Sequence, residues 1–189
     1  MRIVFLSILL LFAKLIVAQG LEFYREDISF RIENDIFYVN GLYYFCNTSA
    51  DTLKHNLLYP FPGDKTSLNI DKILIVDEST GLHIPFDSKY YLEKGIYFNL
   101  VLSPYSTVNI RIFYEQKISE NTIEYILTST KAWGKPFELA NYSLVANAGY
   151  KNLVFSYLPD SIDNESGTYF WKKRDFMPDK NFIVKFEKY

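Results

Sequence analysis

The side chains of this 189-residue sequence with the means to do chemistry fall into three groups: carboxylates on predicted strands, one acidic loop, and aromatic rings in connections. Enzymes that cut polysaccharides flank the glycosidic bond with two carboxyl groups, one acting as acid and the other as base or nucleophile. Glu115, Glu124 and Glu138 are the candidates here, the first two on neighbouring predicted strands. Both occupy the polar phase of their strands, where a solvated charge is the ordinary arrangement. The stretch Asp160-Ser-Ile-Asp-Asn-Glu-Ser166 concentrates oxygen donors of the kind that hold calcium, but it lacks the spacing of a calcium loop and reads as a solvated turn. Tyr90 and Tyr91 in a connection and Trp133 in the turn Trp133-Gly-Lys-Pro136 are large rings at positions that need not be core. Such a platform stacks on a sugar ring or anchors a partner protein. The competing expectation is a loop ring folded down over an open end of the domain. These three residues are the candidate ligand-binding residues.

Other chemistries are missing from the sequence. The two histidines, His55 and His83, are expected to face outward from strands, and no His-Glu-x-x-His, Cys-x-x-Cys or Gly-x-Ser-x-Gly arrangement occurs. The eight glycines stand singly, so no phosphate-cradling loop forms. No catalytic residue, metal ligand or cofactor is therefore assigned. Cys46 reads as a small apolar strand residue. Three Asn-x-Ser/Thr acceptor sites start at Asn47, Asn141 and Asn164. A net charge of −2 offers no footprint for a phosphate backbone, which excludes nucleic acid as the expected partner.

The elements that must position these residues are strands. Residues 1–18 carry Arg2 and an apolar run too short to span a bilayer, so they are predicted to be a secretory signal cleaved at Ala18, with no transmembrane span left afterwards. Residues 19–189 then form one domain, near −4 in charge. Its dominant period is two, as in Ile28/Phe30/Ile32, Ile96–Leu102 and Val108–Tyr114. Together with Ile123–Leu127 the last two segments are expected to form an antiparallel meander. Asn40-Gly41 is expected to turn a hairpin, and Asp77–Gly81 another. One helical turn is conceivable over 88–94. Eleven to thirteen short strands, apolar on one face, predict an all-β, two-sheet antiparallel sandwich. The richness in aromatics, 16 Phe, 16 Tyr and 2 Trp, suits strands that fill a core without disulfides.

Tyr43-Tyr-Phe-Cys-Asn47 with Tyr59-Pro-Phe-Pro62, the Leu127–Pro136 turn, and Asp175-Phe-Met-Pro-Asp179 before the last strand act together as a signature. The ensemble resembles a loosely defined class of uncharacterised exported bacterial domains with immunoglobulin-like sandwich architecture. That resemblance implies the fold and supplies no catalytic residue. The expectation is a non-enzymatic exported module binding protein or glycan at the cell envelope. The alternatives are an envelope assembly built through edge strands and a glycan-cleaving enzyme.

Overall fold

Alternation of buried and more exposed side chains from residue 26 onward marks a long central strand, β1 (Leu21–Glu33), in which Ile28, Phe30 and Ile32 are buried to 2% exposure or less. The computed structural model describes residues 20–62, 72–89, 95–118 and 120–189. The signal peptide predicted over 1–18 and the candidates Tyr90 and Tyr91 lie outside them. β1 pairs antiparallel with β2 (Ile36–Asn47) and parallel with β9 (Phe137–Ala146). Around this centre a seven-stranded sheet runs β11 (Ser161–Asp163), β12 (Thr168–Phe176), β9, β1, β2, β7 (Thr107–Lys117) and β4 (Leu74–Asp77). All its ladders are antiparallel except β1–β9.

The second layer consists of two three-stranded sheets. One is ordered β10 (Tyr150–Phe155), β13 (Phe182–Lys188), β8 (Thr122–Tyr125), and the other β3 (Leu53–Pro60), β6 (Gly95–Leu102), β5 (Phe86–Asp87). Rings from the large sheet bind both. Phe30 stacks 4.8 Å from Phe182 of β13, and Tyr43 of β2 meets Tyr59 of β3 edge-on at 5.6 Å. The molecule is an all-β sandwich whose second layer is divided by a seam. Among the described residues no helix is long and apolar enough to cross a membrane.

Three expectations are corrected. The hairpin turn is Asn34-Asp35, with φ of 50° and 59°, and β2 passes straight through Asn40-Gly41. Asn and Asp tolerate the left-handed region through local side-chain hydrogen bonds, so a glycine is not required for a two-residue turn. β6, β7 and β8 do not form a meander: β6 pairs with β3 and β5, β7 with β2 and β4, and β8 with β13. A short connection lets consecutive strands arch from one sheet to the other as readily as it lets them pair, and alternation looks the same in both cases. One 3-10 helix, Thr128–Trp133, stands where a plain turn was expected.

Candidate functional site

A bulge in β1 creates the site. Phe23 pairs with Phe45 and Arg25 with Tyr44, leaving Tyr24 as an extra residue. The insertion reverses the alternation, so that both Phe23 and Glu26 point into the sandwich although three positions apart. Glu26 is only 2% exposed. Tyr142 donates to its Oε1 at 2.6 Å and Tyr125 to its Oε2 at 3.4 Å. Tyr43 lies 3.0 Å from the Tyr125 hydroxyl and 2.6 Å from that of Tyr59, and Tyr114 hydrogen-bonds Tyr59 in turn. Each phenol has one proton. Either hydroxyl can be the donor in the Tyr43–Tyr59 and Tyr43–Tyr125 pairs, and the phenols form a connected network that ends on the carboxyl.

Burial pushes the Glu26 carboxyl up to about 7; the Tyr142 and Tyr125 hydrogen bonds oppose this, and the Asp27 charge adds to it. No cation pairs with Glu26 among the described residues. Asp27, on the opposite face, behaves differently. Burial would raise it too, but hydrogen bonds from Arg25, Tyr44 and Asn141 hold its carboxyl below the usual range.

Local sequence explains how the rings reach the carboxyl. Gly41 is buried within β2, and a Cβ there would meet the Tyr43 ring carbons at 2.6 Å. The glycine that reads as a turn residue is instead the gap over which Tyr43 lies. Asn181, just before β13, offers its side-chain oxygen to the Leu127 and Thr128 amides and the Thr128 hydroxyl at 2.9–3.2 Å. This pins the 3-10 helix, and with it Trp133, beside the seam.

The result is a cavity of about 60 Å³ between the two three-stranded sheets, with Glu26 and Tyr43 of the large sheet lining it, Leu57 and Tyr59 on one flank, and Tyr125, Thr130 and Trp133 on the other. Trp133 is half-buried, edge-on to Phe23 at 5.6 Å and tilted against Phe45 at 5.7 Å. Its outer side borders an open groove with Lys135, Pro136 and Glu138.

No protein-family model matches the chain, and no curated protein matches it. Its fold recurs among solved structures, where 124 chains match. One is a crystal structure from Legionella pneumophila subsp. pneumophila str. Philadelphia 1, described as a "putative nutrient binding protein". The two superpose with a TM-score of 0.68 at 14% identity, over 87% of this chain and 66% of that one. At that identity the likeness is one of fold. This chain spans a little under two thirds of that structure's length.

The remaining candidates do not converge on the cavity. Glu115 follows buried Tyr114 in the outward phase of β7, and Glu124 lies between buried Ile123 and Tyr125 of β8, so the two project from opposite outer faces and do not form a pair. Glu124 instead accepts from the Asn181 amide at 2.7 Å, steadying the residue that pins the 3-10 helix. His55 shares the inward phase of Leu57 and Tyr59, contrary to the outward position expected, while His83 is exposed. Burial, then Glu22 and Glu138, raise the Cys46 thiol and keep it protonated. Asp160 and Asp163 are occupied within the β11–β12 hairpin, Asp160 by Lys172 and Lys173 and Asp163 by Glu165 and Ser166. Asn47 is 2% exposed, its amide donating to the Asp51 and Ser103 carbonyls, which leaves it no access for a glycan. Sequence reasoning missed Glu26 and its tyrosines. The signal was present, since Glu26 is in phase with Ile28, Phe30 and Ile32.

Proposed function

We propose that this chain is an exported binding protein of the cell envelope, acting without a catalytic step, that admits a small chemical group to the cavity beneath Trp133. The observation that carries this reading is an aromatic cavity, opened by the seam of the second layer, with the buried carboxyl of Glu26 on its wall. The signal-like segment at 1–18 supports export, as does the likeness to the exported immunoglobulin-like class. The fold shared with a protein described as nutrient binding supports a ligand-binding role. Glycan cleavage draws no comparable support, because among the described residues no second carboxyl lines the cavity opposite Glu26. Edge-strand assembly is disfavoured at the large sheet, whose edges β4 and β11 are only 4 and 3 residues long.

Size sets the ligand. At about 60 Å³ the cavity has more room than one water position needs, so it admits a small chemical group. A glycan or protein partner presents one substituent to the cavity and lies against Trp133 at its mouth. The test is thermal unfolding and direct binding of the purified protein against glycan arrays, envelope fractions and small solutes, in parallel with Trp133→Ala. Binding that the variant loses at least tenfold supports the reading. Absence of any ligand, or binding that Trp133→Ala leaves unchanged, ends it.

A further inference from the structure

Building on that binding reading, we propose that the cavity beneath Trp133 receives a small alkylammonium group, with Glu26 as its counter-charge. The argument begins with charge. Among the fifteen described residues lining the cavity only Glu26 ionises in the ordinary pH range, and no described lysine, arginine or histidine lines it. An anionic ligand finds no partner there and would face the carboxylate. A cation finds the one thing the buried carboxyl lacks, since its neighbours are neutral hydroxyls and it makes no ion pair among the described residues. Leaving a carboxylate buried without a cation is costly, and supplying one recovers much of that cost.

The walls agree with the charge. Trp133, Phe23, Phe45, Tyr43 and Tyr125 all line the space. Aromatic faces attract an alkylammonium ion through their quadrupoles while tolerating its methyl groups, and desolvation strengthens that attraction. At about 60 Å³ the cavity has room beyond a single water position and admits a methylated ammonium group.

Binding should also expel a proton. Every phenol facing Glu26 is pushed well above its usual range by burial: Tyr142 from β9, Tyr125 from β8, Tyr43 from β2, and beyond them Tyr59 from β3 and Tyr114 from β7. Asp27 on the same strand points to the other face and stays ionised. Glu26 is thus the group that changes charge near neutrality.

Three solutes of one shape and different charge provide the test: tetramethylammonium, tert-butanol and pivalate, titrated calorimetrically at pH 8 and constant ionic strength into the wild-type protein and Glu26→Gln. We expect saturable binding of tetramethylammonium, at least tenfold weaker binding of the other two, and at least a tenfold loss in Glu26→Gln with its folding intact by circular dichroism. Wild-type affinity should fall about tenfold per pH unit below pH 7 while the variant's stays flat. Choline binding without capture of phosphatidylcholine vesicles assigns a free solute, and capture of vesicles assigns a lipid head group. Equal binding of all three solutes, or an unchanged Glu26→Gln, overturns the proposal. If tert-butanol binds and Trp133→Ala abolishes it while tetramethylammonium does not bind, this inference fails and the binding reading stands. If no solute or envelope component binds, both fail.

Discussion

At the scale of residues, Glu26 makes stability depend on pH in an unusual direction. Its carboxyl moves from 4.5 to about 7 on folding, so between those values the folded protein holds a proton that the unfolded chain has released. Stability from this group is therefore complete below about pH 4.5 and is lost as pH rises through about 7, a loss of about 3 kcal/mol. Glu26→Gln removes the titration with little change in shape. Calorimetry should find the variant's advantage over wild type larger at pH 8 than at pH 5, by about 6–12 °C in Tm. An advantage equal at both pH values would mean that Glu26 stays ionised when buried. Gly41 supplies a second prediction. Alanine there must displace the Tyr43 ring, breaking its contacts with Tyr59 and Tyr125, and should lower stability by about 1–3 kcal/mol in urea denaturation. Had Gly41 been needed only as a turn residue, its strand conformation would accept alanine freely. The inward direction of Glu26 was legible from the phase of Ile28, Phe30 and Ile32. Its partners were not, because Tyr125 and Tyr142 stand 99 and 116 positions away.

At the scale of elements, alternation located the strands well but was blind to the two irregularities that make the site. The Tyr24 bulge changes phase inside a run that also reads as regular, and the 3-10 helix depends on an acceptor from a distant part of the chain. Asn181 is that acceptor. Removing it by Asn181→Ala strands the Leu127 and Thr128 amides and the Thr128 hydroxyl, half-buried groups whose loss of a partner costs about 1–3 kcal/mol. Hydrogen exchange should rise across 127–133, and any ligand bound beneath Trp133 should bind more weakly. The β9–β1 ladder should keep its protection. Unchanged exchange in 127–133 would show that packing of Trp133 on Phe23 and Phe45 suffices to hold the segment.

At the scale of the whole molecule, the sandwich was legible and the division of its second layer was not, because period two records which face is buried and says nothing of which strand lies alongside. The division raises the question of whether the halves of that layer unfold together. The core answers it physically. Phe30 of β1 touches Tyr125 of β8 and Phe182 of β13 at 5.2 and 4.8 Å, while Tyr43 of β2 joins Tyr59 of β3 to Tyr125 across the seam through its hydroxyl. Among the described residues the buried side chains form one continuous cluster. We therefore expect one cooperative transition despite a length at which intermediates become common. The two tryptophans report on different places: Trp133 at the seam, and Trp171 buried between Phe155 and Phe182. In Trp133→Phe, fluorescence follows Trp171 alone. Its urea midpoint should coincide with that of far-UV circular dichroism and with the Trp133 signal of a Trp171→Phe protein, after allowance for each variant's own stability. Separate midpoints within one variant would mean that the seam opens before the sheets melt, and the cavity would then be a weak joint of the fold instead of a formed receptor.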